Sequence, residues 1–135
     1  MKMQTIHSQK VKDPAPQTWS NMKVYNGHFH VAGLTAGGPD APHPGDDMYA
    51  QARRTFQKIR DLVEAAGGKM DDVMTMTIFV TNLNENTEVW RARREFFSGD
   101  FPCSTLVQVA AVGSPKMNPP LKIEIQVSGY IGASG

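Results

Sequence analysis

The amino-acid sequence predicts an α+β fold, with two helices on one face of a mostly antiparallel or mixed β-sheet. Three observations lead to this expectation. Apolar residues recur at helical spacing in residues 46–66 and 84–97. Apolar and polar residues alternate in residues 121–131, as in a strand with one buried face. An Asn-Gly pair near the amino terminus separates two short apolar runs and indicates a β-hairpin. The full predicted order is β-β-β-α-β-α-β-β, a sheet of about six strands.

The length and composition describe one domain. The chain has 135 residues, of which 40% are hydrophobic and 20% charged, and residues 1–135 are sufficient for one hydrophobic core. Fourteen basic residues against 13 acidic ones leave a net charge of +1. This balance indicates neither nucleic acid nor an anionic membrane as a partner. No apolar segment has the length of a signal-peptide core or a membrane span, so the cytoplasm is the expected location.

The first elements are predicted to be strands separated by turns. Residues 3–7 form a short alternating run, and the two prolines of residues 12–17 favour an extended loop after it. Residues 22–25 and 28–33 then form the two strands of the hairpin. The intervening Asn-Gly pair accepts the positive φ of a type I′ turn, which makes this hairpin the clearest local signal in the chain.

A loop and a helix follow the hairpin. Residues 34–45 contain many glycines and prolines and predict a loop long enough to be functional. The helix over residues 46–66 has Asp46 or Asp47 as its N-cap and ends at Gly67. Its predicted buried face consists of Met48, Ala52, Phe56, Ile59, Val63 and Ala66.

A central strand and a second helix come next. Residues 73–81 are rich in β-branched side chains and predict a strand in the interior of the sheet. One face of this strand carries Met74, Met76, Ile78 and Val80. The second helix covers residues 84–97, with Asn84 or Asn86 as its cap. Residues 105–111 predict the next strand.

The final strand and its exposed face have a consequence for assembly. Residues 121–131 alternate over a long run, and residues 132–135 are expected to be a frayed tail. Because both helices lie on one face of the sheet, the opposite face requires another cover. Oligomerisation is the expected one.

Local motifs do not name a reaction. The chain contains no nucleotide-binding glycine loop, no zinc-protease helix motif and no nucleophile elbow. His28 and His30 share one strand face, either as a metal clamp or, more simply, as polar residues of the hairpin. Cys103 is the only cysteine, which excludes an internal disulfide. A buried structural thiol is the simpler interpretation, because no base that would activate it can be identified.

Other residues leave two interpretations open. Glu124 lies on the polar side of a strand in buried surroundings, so it needs either a salt-bridge partner or a catalytic role. Trp19 and Trp90 are either core residues or pocket walls. Two basic clusters are expected to form solvated helix faces. They are Arg53, Arg54, Lys58 and Arg60 on the first helix, and Arg91, Arg93 and Arg94 on the second.

Six segments in sequence order closely resemble the reactive intermediate deaminase (Rid, or YjgF-like) family. They are VEAAGGKMDDV at 63–73, TIFVTNL at 77–83, EFF at 95–97, FP at 101–102, VQVA at 107–110 and KIEI at 122–125. The resemblance extends over residues 19–129. It implies a chorismate-mutase-like fold, a homotrimer, and small-molecule sites in the clefts between subunits. It also implies hydrolysis of enamines and imines, such as 2-aminoacrylate and 2-iminopropionate, to keto acids and ammonia without metal or organic cofactor.

The resemblance assigns site residues and reveals departures from the family pattern. Glu124 keeps the family's water-positioning carboxylate, whereas Ser104 occupies the position of the arginine that binds the substrate carboxylate. A neutral hydroxyl cannot replace a guanidinium fork. Trp19, Ala32, Trp90 and Leu106 also depart, toward a larger and more apolar pocket. The implied catalytic residues are Glu124 and Ser104, and the implied substrate-binding residues are Trp19, Ala32, Gly33, Trp90, Cys103, Thr105 and Leu106.

The leading hypothesis is a hydrolase of this family with a different small-molecule substrate, a bulkier or uncharged imine, enamine or amide-like compound. Reduced activity on 2-aminoacrylate is expected, unless Arg91 or Arg93 beside Trp90 replaces the missing charge. The alternative is a noncatalytic small-molecule-binding or regulatory trimer. An endoribonuclease ranks last, because the net charge of +1 is not typical of a nucleic-acid surface.

Overall fold

The computed structural model describes residues 2–38, 45, 47–114 and 117–135. The predicted order of strands and helices is confirmed. The elements are β1 (Gln4–Thr5), β2 (Met22–Tyr25), β3 (His28–Thr35), α1 (Met48–Ala65), β4 (Val73–Val80), α2 (Asn86–Arg93), β5 (Cys103–Gln108) and β6 (Ile123–Tyr130). Short 3₁₀ helices at Met70–Asp72 and Leu83–Glu85 precede β4 and α2.

The strands form one mixed sheet of six strands in the order β1-β2-β3-β6-β4-β5. β4 and β5 are parallel, and the other neighbouring pairs are antiparallel. A helix connects the parallel pair, as the crossover between parallel strands requires. β4 lies between β6 and β5, which confirms its predicted interior position.

The β2–β3 hairpin has the predicted turn. Asn26 and Gly27 have φ values of 52° and 83°, the positive values that a type I′ turn requires. The strand after the turn is longer than expected, because Leu34 and Thr35 still pair with β6. The predicted functional loop over residues 34–45 therefore begins later, and its residues 39–44 lie outside the described part of the chain.

α1 begins and ends as expected. Asp47 is its N-cap, and its carboxylate accepts a hydrogen bond from the Tyr49 N–H at 2.9 Å; Asp46 lies outside the described residues. Gly67 follows the helix with φ +88°, a value that favours glycine. Of the predicted apolar face, all residues are buried except Ala66, which is half-buried.

α2 is shorter than predicted, and no described side chain caps its first turn. The regular helix ends at Arg93; Phe96 lies in the turn that follows and Phe97 directly after it, and both remain buried. Neither Asn84 nor Asn86 caps it. The Asn82 side chain instead accepts a hydrogen bond from the Asn84 N–H at 3.0 Å, at the start of the preceding 3₁₀ helix. Because a 3₁₀ helix precedes α2, the capping side chain lies upstream of both predicted positions, which the apolar spacing of the sequence does not show.

The hydrophobic core lies between the two helices and one face of the sheet. Its largest fully buried apolar side chains are Phe29, Phe56, Met22, Met48, Ile59, Leu62, Met76, Ile78, Ile123 and Ile125. Met74 was expected to share one face of β4 with Met76, Ile78 and Val80, which are buried, but Met74 is 52% exposed. A register shift in the pairing of β4 with β6 between Val73 and Thr75 turns it outward, which an alternation pattern does not reveal.

In the described part of the chain, the opposite face of the sheet is less buried than the face beneath the helices. Its central rows contain half-buried side chains on β4 and β6, including Thr77, Phe79 and Gln126, while Thr105 and Val107 of β5 are exposed. This distribution agrees with the predicted two-helix layer on one side only. Among the described residues, no helix is long and apolar enough to span a bilayer.

The carboxyl-terminal residues are not a frayed tail. The buried carboxylate of Asp72 accepts hydrogen bonds from the N–H groups of Gly132 at 3.0 Å and Ser134 at 2.8 Å. It also accepts one from the Ser134 hydroxyl at 2.6 Å. Gly132 and Ser134 lie about 60 positions after Asp72 in the sequence, so no local pattern could predict the contact.

Candidate functional site

A cavity of about 1090 Å³ lies where the segment before β2, the end of β3, α1 and the start of β6 meet. Glu124, Gly33 and Trp19 line it, so three of the residues predicted to form the site lie together in one chain. Its volume is slightly above the usual range for small-molecule sites, which ends at about 1,000 Å³. The cavity is the candidate active site.

Glu124 projects into this cavity from β6. It is half-buried, and no described residue forms a hydrogen bond or an ion pair with its carboxylate. The alternative of a salt-bridged structural carboxylate therefore finds no partner in the described chain. A carboxylate that has lost part of its hydration without gaining a protein partner can bind water or a ligand.

Gly33 determines where the Glu124 side chain can lie. A Cβ atom at position 33 would be 2.9 Å from Cδ of Glu124, closer than side-chain atoms approach in proteins. Gly33 and Ala32 lie where the pairing of β3 with β6 shifts register, between Val31 and Leu34. The bulge and the missing side chain together make room for the carboxylate.

The segment before β2 forms another wall of the cavity. The Ala32 N–H donates to the Asn21 carbonyl at 2.8 Å, and the Asn21 amide donates to the Lys12 carbonyl at 3.1 Å. These bonds hold the proline-containing loop against β3. Trp19 in this loop is 62% exposed, so it is a pocket wall rather than a core residue.

Two basic residues of α1 also line the cavity, contrary to the expected solvated helix face. Arg54 and Lys58 are half-buried there. The Lys58 ammonium donates to the carbonyl oxygens of Thr35 at 2.9 Å and Gly37 at 2.6 Å. By contrast, Arg53 is exposed and pairs with Glu95 at 3.0 Å, as a surface residue should. The spacing of four between Arg54 and Lys58 was the signal, because it places both on one helix side.

Ser104 lies apart from this cavity and contacts an arginine. The guanidinium Nη1 of Arg93 on α2 donates to Oγ of Ser104 at 2.8 Å. Burial, followed by the charge of Arg94, lowers the pKa of the Arg93 guanidinium. Of the two arginines considered as replacements for the missing charge, Arg91 instead pairs with Glu88 at 2.7 Å. Arg93 is therefore the cation beside Ser104.

The remaining predicted site residues are dispersed in the single chain. Thr105 is exposed on the open sheet face, whereas Leu106 packs partly against the hydrophobic core. Trp90 is 39% exposed on α2. Cys103 was expected to be buried but is an exposed free thiol, beside a smaller cavity of about 310 Å³. Cys103 lies at the exposed start of edge strand β5, which the sequence placed two residues later.

The hairpin histidines have another environment. The ring of His28 stacks on Tyr130, with ring centroids 4.9 Å apart, and His30 is exposed. Within the described residues, no group of three or more metal-ligating side chains comes together. His28 therefore contacts an aromatic ring of β6, whereas His30 faces solvent.

Comparison with known proteins identifies the family. Residues 11–131 match the family model described as Endoribonuclease L-PSP. The chain is a member of the Rid (YjgF-like) family. A 2-iminobutanoate/2-iminopropanoate deaminase from Salmonella typhimurium is 37% identical over 84 residues. The match spans 60% of this chain and 62% of that protein, somewhat less than two thirds of its length.

Solved structures of similar proteins share the fold. RidA from Psychrobacter sp. PAMC 21119 has a TM-score of 0.82 at 28% identity, covering 95% of this chain and 99% of that one. A protein of unknown function from Pseudomonas aeruginosa has a TM-score of 0.84 at 28% identity, covering 97% and 94% respectively. The α+β fold inferred from the sequence is therefore confirmed as the Rid fold.

Proposed function

We propose that the protein is a Rid-type hydrolase of small C–N substrates, an imine or enamine deaminase whose pocket accepts bulkier substrates than 2-iminopropanoate. The observation that carries the proposal is the Glu124 carboxylate, half-buried in the cavity without a partner among the described residues. The deaminase from Salmonella and the family membership support the class of reaction.

In this reaction Glu124 orients a water molecule and accepts its proton. The water oxygen adds to the carbon of the C=N bond, and the nitrogen receives a proton. The hydroxyl of the resulting carbinolamine then gives up its proton and the nitrogen gains one, the C–N bond breaks, ammonia leaves with the electron pair of that bond, and a carbonyl product remains. A positioned carboxylate contributes about 10²- to 10⁴-fold to such proton transfers. No metal or organic cofactor is proposed.

The altered pocket is also part of the proposal. Ser104 provides a hydroxyl where the family resemblance implies a carboxylate-binding arginine, and Trp19 adds an aromatic wall to a cavity of about 1090 Å³. We expect low activity on 2-aminoacrylate and 2-iminopropanoate, and higher activity on imines with larger side chains. Arg93 beside Ser104 can contact substrate only where a neighbouring subunit brings β5 to the cavity, as in the proposed homotrimer.

The test uses imines made in situ by an amino-acid oxidase from alanine, leucine and phenylalanine. Keto acid release is measured above a buffer blank for the wild type, Glu124→Gln and Ser104→Arg. We expect the wild type to accelerate hydrolysis of the phenylalanine-derived imine most, and Glu124→Gln to reduce that rate about 100-fold or more. Ser104→Arg should shift the preference toward the alanine-derived imine.

Glu88→Gln is the matched control, because Glu88 lies on the surface of α2 in an ion pair with Arg91. It should retain the wild-type rate. A wild type that accelerates no imine, yet releases a bound ligand unchanged, would favour the noncatalytic alternative. Equal rates for the wild type and Glu124→Gln would contradict the assigned role of Glu124.

A further inference from the structure

The charged side chains that line the cavity have a more positive net charge than the chain as a whole. The described side chains that line it include four cations and two carboxylates, whereas the chain has a net charge of only +1. They are Lys10, Lys12, Arg54, Lys58, Asp13 and Glu124. Lys10 and Lys12 are exposed at the rim, whereas Arg54 and Lys58 are half-buried in the wall. An anion entering the cavity therefore meets an attractive potential.

Lys58 is fixed by the backbone around it. Its ammonium donates to two carbonyl oxygens at the end of β3, those of Thr35 and Gly37. Thr35 is in turn the register partner of Glu124 across the β3–β6 pair. Lys58 thus contributes to the shape and charge of the wall next to the catalytic carboxylate.

Arg54 has no comparable anchor. It lies one helical turn before Lys58, about 6 Å along α1. Neither a hydrogen bond nor an ion pair connects it to the described residues, although it is half-buried. Partial burial removes water molecules that would hydrate the guanidinium, and hydrogen bonds to an anion would compensate for this loss. Its planar fork matches a carboxylate with two parallel hydrogen bonds.

The exposed Trp19 side chain indicates the chemistry of the part of the ligand that does not contact Arg54. Its indole is 62% exposed and lines the same cavity as Arg54. A large exposed aromatic surface in a concave site gains from contact with an apolar or aromatic ligand. The volume of about 1090 Å³ leaves room for such a body next to Glu124.

We propose that Arg54 binds the carboxylate of an acid whose aromatic or otherwise apolar body packs against Trp19. Arg54 is then a specificity residue of the cavity, carried by α1 rather than by β5. The inference rests on the proposed function only in placing the reaction at this cavity, because the binding of an acid can be measured without turnover.

The test measures binding of 3-phenylpropanoate and its neutral isostere 3-phenylpropanamide by calorimetry. The wild type should bind the acid about tenfold more tightly than the amide, and Arg54→Met should remove that preference. Arg54→Lys keeps the charge and should retain part of it. Arg53→Met is the matched control, since Arg53 is the neighbouring arginine on α1 and pairs with Glu95 on the surface. Trp19→Ala should weaken the acid and the amide alike.

The outcomes separate this inference from the proposed function. A wild type that binds no acid, or does not prefer acid to amide, would overturn the inference. So would loss of the preference in Arg93→Met instead of Arg54→Met, or tighter binding of phenyl phosphate than of the acid. Glu124-dependent imine hydrolysis with these results would leave the proposed function intact. Arg54-dependent binding without any hydrolysis would overturn only the proposed function.

Discussion

The orientation of the Glu124 carboxylate depends on the absence of a side chain at position 33. Gly33 does not have a positive φ, so its backbone is available to any residue. Its requirement for glycine comes from the contact alone, because a Cβ would lie 2.9 Å from Cδ and 3.0 Å from Cγ of Glu124. At the residue scale, the site therefore depends on a pair of residues, because the absence of a side chain at Gly33 leaves the space that Glu124 occupies.

We predict that Gly33→Ala displaces the Glu124 carboxylate and reduces imine hydrolysis about 100-fold, the cost of misplacing a catalytic group by about 1 Å. Initial rates with the phenylalanine-derived imine measure the effect. The substitution should also lower the free energy of unfolding by about 1 kcal/mol, measured by urea denaturation.

A double-mutant comparison identifies the cause. In the Glu124→Ala background the new methyl group has room, so Gly33→Ala should no longer destabilise the protein. An equal loss of stability in both backgrounds would show that alanine disturbs the backbone of β3 and not the carboxylate.

At the scale of elements, one side of α1 packs in the hydrophobic core and another side lines the cavity. Its apolar side buries Phe56 and Ile59, while Arg54 and Lys58 face the cavity. Gln51 joins the two regions, since its amide donates to the Gly45 carbonyl at 2.8 Å and accepts from the Lys122 N–H at 2.7 Å. The start of β6, and with it Glu124, is therefore positioned by the first turn of the helix.

A second link between elements is formed by Asp72. Burial alone would raise the pKa of its carboxyl. The hydrogen bonds from Ser134, Lys69 and Gly132 outweigh burial and lower that pKa from 3.8 to about 2. Because the folded pKa lies below the ordinary value, ionised Asp72 stabilises the protein above about pH 4, and this contribution is lost as the pH falls toward 2.

We predict that Asp72→Asn lowers the free energy of unfolding by about 2 kcal/mol at pH 7, because an amide accepts fewer of these hydrogen bonds and carries no charge. The difference from the wild type should narrow between pH 4 and pH 2. Urea denaturation across this range measures it. Glu64→Gln, an exposed change on α1, should leave stability unchanged at every pH. A constant deficit for Asp72→Asn would contradict the charge-based explanation.

At the scale of the whole molecule, the sheet has one covered and one open face. The helices bury Met76, Ile78 and Ile125, whereas Phe79 and Thr77 on the opposite face are only half-buried within the chain. An apolar and β-branched surface of this kind favours contact with another subunit. The homotrimer implied by the family resemblance remains a prediction for this chain.

We predict that the purified protein sediments with three times the mass of one chain, and that Phe79→Lys reduces it to the mass of one chain. A charge on the open face would be buried without a partner in the trimer. Sedimentation equilibrium measures both masses. Leu83→Lys changes an exposed residue outside the sheet and should preserve the trimer. A wild type with the mass of a single chain would contradict the assembly.

The sequence by itself determined the order of strands and helices, the Asn26-Gly27 turn and the buried face of α1. These features depend on residues close together in the chain, so the spacing and backbone preferences within a short segment are sufficient to predict them. The family resemblance also directed attention to Glu124. Local pattern could not detect the register shift that exposes Met74 or the cap at Asn82, since each depends on how neighbouring segments pair.

Only the tertiary structure decided which distant residues meet. It brought Trp19, Gly33 and Glu124 into one cavity and turned Arg54 and Lys58 into its wall. It also joined Arg93 to Ser104, and Asp72 to the carboxyl terminus. Helical periodicity assigns a side to a residue, but the path of the whole chain determines what that side faces. The sequence pattern therefore does not distinguish an arginine on the surface from an arginine in a cavity wall. The difference lies in the groups that the fold brings near each side chain.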